Sequence, residues 1–440
     1  MVMLNALTDI GRFSKDVVNG YIRFGVHDDK HYLMLCYTAQ TQFSGHWVAD
    51  TTLLARGLAV RVDDVAADMV ARGATDTVDD MVRILANADV IARGMRKFFT
   101  VDAASNEWGK VKLVDDDENV TVDESFTIDF DAPATVADKL DGALGIGVVV
   151  NDRLVIGTKG SYGSDEAVIG TDYLYANHDA DAFKMWLTTH AKGFSPLFEI
   201  ITPEADHVVD YGDFGDIVFL GLMNIATGRW TPAALIGKDG YTDGIDADVA
   251  SSFGFHTPEV YHADSLGSAL ELPALDNHEG MVVTLETKEQ SMFKIKYPMF
   301  LMLQKLKNLS KSGMVDIIRD MSDEDIMDGS VDITDRIPDG YRASAKSFID
   351  DTARRADADY LIPIRDLVLE ARRDYSEIVS NGYDLNTRDG IKYYVHDVMS
   401  RNLPKNIVSL LMKMKSIPDD SARNAKVIDM ARELVIKDNK

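Results

Sequence analysis

Apolar residues alternate with polar ones, or run in short blocks, through the first two thirds of the chain, and recur at a helical period in the last third. The pattern predicts an opening helix over 3–18, strands at 32–38 and 54–62, and a helical excursion within 61–90. Two apolar runs, 143–150 and 153–157, are separated only by Asn151-Asp152, which reads as a hairpin with a two-residue turn. A helix over 179–190 and strands at 197–201 and 216–224 follow. A second hairpin pairs 279–285 with 291–297 across Lys288-Glu289. Residues 231–275 give no clear period. Beyond Tyr297, Pro363 opens a helix with Ile364, Leu367, Val368, Ala371, Tyr375 and Ile378 on one face, stopped by Asn381-Gly382. Another begins at Pro418-Asp419 with Val427, Ala431, Leu434 and Val435 inward. These elements predict an α+β fold in two parts, a strand-rich domain over 1–297 and an all-helical domain over 298–440.

Composition narrows the function. Among 440 residues, 46 basic stand against 72 acidic, a net charge of −26. Such a balance argues against a general nucleic-acid binder, because phosphate backbones demand lysine and arginine. It also fits a protein from a salty cytoplasm, where a dense acidic surface keeps it soluble and salt screens its self-repulsion. A basic site would then be local. The last forty residues hold nine Lys/Arg against five Asp/Glu, a local surplus of four that hints at a polyanionic partner. The segment from Asp115 to Asp131 is acidic and reads as a solvated loop. No stretch is long and apolar enough to span a membrane, and no signal peptide is visible. The single cysteine, Cys36, in the apolar run 32–37, rules out an internal disulfide and reads as a small buried apolar residue. A cytoplasmic setting follows.

The candidate chemistry centres on Lys139-Leu140-Asp141-Gly142, at the mouth of the first hairpin. On its own a lysine before Asp-Gly is an ordinary turn residue. As a nucleophile it needs a neutral amine, and burial or neighbouring cations would depress its pKa. Gly157–Ser164 is rich in small residues but lacks the order of a P-loop. Glu199 stands inside an apolar strand, so it must face a wet cleft or bind a cation. Lys294 and Lys296 alternate along one strand and point the same way, which suits an anion between them.

Taken in order, the set reads Arg56-Gly57, Lys97-Phe98-Phe99, Lys139-x-Asp141-Gly142, Lys159-Gly160-Ser161, Phe198-Glu199-Ile200, Glu279-Gly280 and Lys294-Ile295-Lys296. This order resembles the covalent nucleotidyltransferases, and most closely the ATP-dependent RNA ligase 1 family of tailed phages. The likeness covers about residues 50–300. It implies antiparallel sheets with flanking helices and three steps: transfer of AMP from ATP to Lys139, transfer of AMP to an RNA 5′-phosphate, and attack by a 3′-OH. It implies further that Lys294 and Lys296 hold the α-phosphate with Lys159 nearby. Arg56 and Lys97 would hold the outer phosphates. Glu199 and Glu279 would serve Mg²⁺ (or Mn²⁺) or the ribose, with Asp323 of Ser322-Asp323-Glu324 as a further metal residue. The partners implied are RNA ends, such as those of a nicked tRNA, in a virus-infected cell. Tyr297-Pro298-Met299-Phe300 departs from the family pattern after the last strand. Two other readings compete: a DNA ligase or capping guanylyltransferase, which normally carries a C-terminal β-barrel, and a non-catalytic nucleic-acid-binding protein. The sequence leaves the oligomeric state open.

Overall fold

The computed structural model describes residues 2–101, 113–114, 131–203, 205, 207–238, 245, 249–287, 290–307, 311–334, 337 and 346–439. Of the expectations above, the acidic stretch 115–129 and the Lys288-Glu289 turn lie outside the described residues. The chain divides into two compact units, Met1–Phe300 and Leu301–Lys440.

The first unit holds three sheets. The first is ordered β1-β5-β4-β3-β2, from β1 (Val2–Met3), β2 (Ile22–Val26), β3 (Tyr32–Tyr37), β4 (Arg56–Arg61) and β5 (Asp89–Arg93). Next in the chain come β6 (Phe99–Val101), β7 (Leu113–Val114) and β8 (Ala134–Lys139), then β9 (Ala143–Val150), β10 (Arg153–Gly157), β11 (Phe194–Ile201), β12 (Asp216–Asn224) and β13 (Trp230–Pro232). The last are β14 (Val260–Ala263), β15 (Gly280–Leu285) and β16 (Met292–Lys296). The second sheet is β10-β9-β11-β12-β13 and the third β14-β8-β15-β16-β6-β7; apart from the parallel β16–β6 pair, the ladders are antiparallel.

Local chemistry explains most of these elements. Asn151 and Asp152 both take left-handed backbone angles (φ 48° and 62°), as a two-residue hairpin turn requires. Between β4 and β5, the helices Asp64–Ala71 and Val78–Leu85 start at Asp63 and Thr77, whose side chains accept from the backbone N–H three residues on. The opening helix is shorter than its pattern predicts. It spans Ile10–Val18, capped by Asp9, while Val2–Met3 instead pairs with β5. A helix over Asp165–Asn177, capped by Ser164, was not evident from periodicity. Its buried positions are only Ala167, Gly170 and Leu174, too small a stripe to stand out.

A core where all three sheets contribute joins Met34, Ala59, Ala92, Ile146, Val148 and Leu197, with Val282 and Met292 packed against it. It forms the floor beneath the site. The second unit is helical. Pro363 sits in the first turn of Ile362–Val379 rather than opening the helical run, which continues from Lys346–Ala356 through a π-helical stretch, Asp357–Leu361. Ile364, Val368, Ala371 and Ile378 pack with Val427, Ala431 and Val435 of Asp420–Asp438. Among the described residues no helix is long and apolar enough to cross a membrane.

Candidate active site

Lys139 is the last residue of β8, in the third sheet, and Ala143 begins β9 in the second. The lysine therefore does not belong to the hairpin that follows it. Leu140-Asp141-Gly142 is the crossing between two sheets. Asp141 fixes that crossing: its Oδ2 accepts from the backbone N–H groups of Val208 (2.6 Å) and Val209 (3.1 Å), while its own N–H donates to the Tyr211 hydroxyl (2.8 Å). Gly142 allows it, since a Cβ there would lie 2.6 Å from the Ile200 carbonyl oxygen and 2.8 Å from Glu199 Cγ.

Strand register sets the charges. Gly280 stands opposite Lys139 on one neighbouring strand and opposite Lys296 on the other. Glu279, just before it and 4% exposed, bridges both: Lys139 Nζ lies 2.6 Å from its Oε2 and Lys296 Nζ 3.2 Å from its Oε1. Burial works to lower the Lys139 pKa, but the carboxylates of Glu279, Glu199 and Asp141 outweigh it and the balance is upward. The sequence reading expected the opposite. The groups acting most strongly on the amine are acids, so the resting lysine is held protonated.

Glu199 comes from β11, opposite Leu144 of β9, and its Oε1 accepts from the Gly142 N–H at 3.1 Å. Burial first, and the negative charge of Glu279, lift its pKa to about 7. The sign follows directly. Between pH 4.5 and 7 the folded protein keeps a proton that the unfolded chain has lost. Stability contributed by this group is complete below 4.5, falls as pH rises, and above 7 the charge costs about 3 kcal/mol. Glu199→Gln is therefore expected to flatten the decline of the urea midpoint between pH 5 and 8. Parallel profiles for the two proteins would contradict this.

A cavity of about 510 Å³ opens between the sheets, lined by Lys139, Glu199, Arg56, Lys159, Lys294 and Arg23 among others. Its cations rest on rings as well as beside acids. Arg56 lies 5.4 Å and Lys294 Nζ 5.3 Å from the Phe98 centroid, and Lys159 Nζ 5.9 Å from Tyr37. Among the described residues the buried Arg56 Nη1 has no hydrogen-bond partner. Lys97 does not line the cavity; it is 5% exposed behind it, its ammonium 5.6, 5.7 and 5.7 Å from the rings of Tyr37, Trp47 and Phe99. Asp323 belongs to the second unit, where it follows the cap Ser322 and accepts from Arg432 at 3.1 Å. Arg23 was missed in the sequence, because a lone arginine on a short, otherwise apolar strand carries no signal.

An anion pocket with acids at the lysine end can hold a nucleoside triphosphate, and its carboxylates could take up a divalent cation. Among the described residues no group of three or more acids, histidines or cysteines forms a metal cage. Mg²⁺ needs none, binding through one or two carboxylates and substrate phosphates. Glu199, a half-buried carboxylate costly to keep charged alone, fits that part.

The family model described as RNA ligase matches residues 54–300. No curated protein matches the chain. Among solved structures, the chain is similar to an archaeal ATP-dependent RNA ligase (13% identity over 90% of this chain and 88% of that one, TM-score 0.45). It is similar also to a variant of Naegleria gruberi RNA ligase with ATP and Mn (14%, 64% and 84%, TM-score 0.30). A putative ATP-dependent DNA ligase from Aquifex aeolicus gives 11% over 92% and 87%, at TM-score 0.38.

Proposed function

Because the chain belongs to the RNA ligase family, we propose that it is an ATP-dependent enzyme that joins RNA ends through AMP carried on Lys139. One observation supports this most: the Lys139 amine, held by a carboxylate it shares with Lys296, stands in the wall of a cavity whose other cations are Arg23, Arg56, Lys159 and Lys294. In the first step the amine, having given up a proton, attacks the α-phosphorus of ATP. A P–N bond forms, the bond to the β-phosphate oxygen breaks, and pyrophosphate leaves with the electron pair. In the second, an oxygen of the RNA 5′-phosphate attacks the same phosphorus and the amine leaves, taking up a proton. In the third, a 3′-OH gives up its proton to solvent as its oxygen bonds to the 5′-phosphorus, the bridging P–O bond to AMP breaks, and AMP leaves with the electron pair.

Lys294 and Lys296 stabilise charge gathering on the α-phosphate oxygens, and Lys159 and Arg56 that on the outer phosphates. Glu199 and Glu279 would hold Mg²⁺ or Mn²⁺, which would neutralise phosphate charge. We assign the helical unit to RNA-end recognition; a nicked tRNA is the substrate we favour, in a virus-infected host cytoplasm. The test is incubation with ATP or GTP labelled at the α-phosphate, with Mg²⁺. Label from ATP bound to the protein supports the reading; label from GTP alone would make it a capping enzyme.

The charge of −26 carries its own expectation. If this surface is built for salt, labelling should persist in molar KCl, where the Debye length falls to about 3 Å and surface repulsion is screened. Activity lost by half-molar KCl would remove the halophilic reading.

A further inference from the structure

Arg23 enters the cavity from β2, in a part of the chain that precedes the matched residues 54–300. Two glycines make room for it. A Cβ on Gly25 would lie 2.5 Å from the Gly160 carbonyl oxygen, and one on Gly160 would lie 2.7 Å from Arg23 Nη2. Strand β2 thus rests directly on the Thr158–Ser161 turn, and the guanidinium lies against Gly160, next to Lys159. Among the described residues, Arg23, Arg56 and Lys159 have no carboxylate at ion-pair distance, and the Arg56 Nη1 has no hydrogen-bond partner. Glu166 also lines the cavity, but it is exposed.

The cavity is therefore unequal in charge. Lys139 shares its end with Glu199, Glu279 and Asp138, while the Arg23 end is poor in acids. A nucleoside triphosphate is unequal in the same sense. Its α-phosphate carries one charge, and the two outer phosphates carry the rest. During the first step they also receive the electron pair of the breaking P–O bond. An arginine, with a planar fork of donors, suits oxygens on neighbouring phosphates better than a point charge does.

We infer that Arg23 grips the outer phosphates of ATP and the departing pyrophosphate, as a contribution of this chain from outside the family match. The inference rests on Lys139 as nucleophile, and the experiment keeps the two apart. Wild type, Arg23→Ala and Arg23→Lys are compared in three assays: the KM for labelled ATP in self-labelling, the pyrophosphate concentration that strips half the label from labelled enzyme, and the sealing rate of RNA already bearing AMP at its 5′ end. Arg23→Ala is expected to raise the first two about tenfold, the loss of one charge-assisted hydrogen bond at a partly exposed site. The effect on either should exceed any effect on sealing at least fivefold, and Arg23→Lys should recover part. Arg23 is exposed, so the variants should melt with wild type. Unchanged ATP and pyrophosphate constants overturn the inference, as does a larger loss in sealing, which would place Arg23 on the RNA path. Absence of label from wild type would instead overturn the proposed function.

Discussion

Lys139→Ala is expected to carry no labelled AMP, a loss of at least about four orders of magnitude, because no other amine in the cavity occupies the attacking position. Lys139→Arg should fail as completely, since a guanidinium keeps its proton throughout the working range. RNA that already bears AMP on its 5′ end bypasses the lysine, so Lys139→Ala should still seal it within about tenfold of wild type, as removal of one charge leaves the phosphate-binding cations in place. The fold should tolerate the change. Glu279 keeps Lys296 at 3.2 Å and is not stranded as a lone buried charge. Label retained on Lys139→Ala would end the proposal.

Gly280→Ala should damage stability and chemistry together. Its φ of +152° is one that a side chain rarely adopts, and a Cβ would fall 2.0 Å from the Ile295 carbonyl oxygen and 2.8 Å from Lys296 Cα. Backbone cannot yield as a side-chain tip can, so β15 must part from β16. We expect a loss of about 3 kcal/mol or more, seen as a lower denaturation midpoint. Labelling should fall at least a hundredfold in whatever remains folded, because this register aligns Lys139, Glu279 and Lys296. Gly163→Ala is the control: a Cβ there meets nothing within 4 Å, so its midpoint should match wild type. Equal midpoints for both variants would refute the steric argument.

How far the fold could be read follows the range of each interaction. The Asn151-Asp152 turn and the strand Asp216–Asn224 are legible because their signals lie within a few residues. The place of Lys139 is not. Its sheet is fixed by pairing with Gly280, far along the chain, and periodicity before Asp-Gly cannot say that the chain changes sheets there. The motif letters located Lys139, Glu199 and Lys294 at one cavity, but not their electrostatics. That Glu279 would reach both lysines depends on three strands in register, so the raised pKa of the amine could not be foreseen. Arg23 escaped for the same reason: two glycines distant in sequence bring it in. Lys97 was located by its neighbours Phe98 and Phe99, yet its cage also needs Tyr37 and Trp47.

The carboxylate clasp on Lys139 has a consequence for the idle protein. A free, uncharged amine in an open cleft would react with any acyl donor, aldehyde or cyanate that wandered in. Clasped as an ammonium 2.6 Å from Glu279, it is sheathed against such accidents until something else claims that carboxylate.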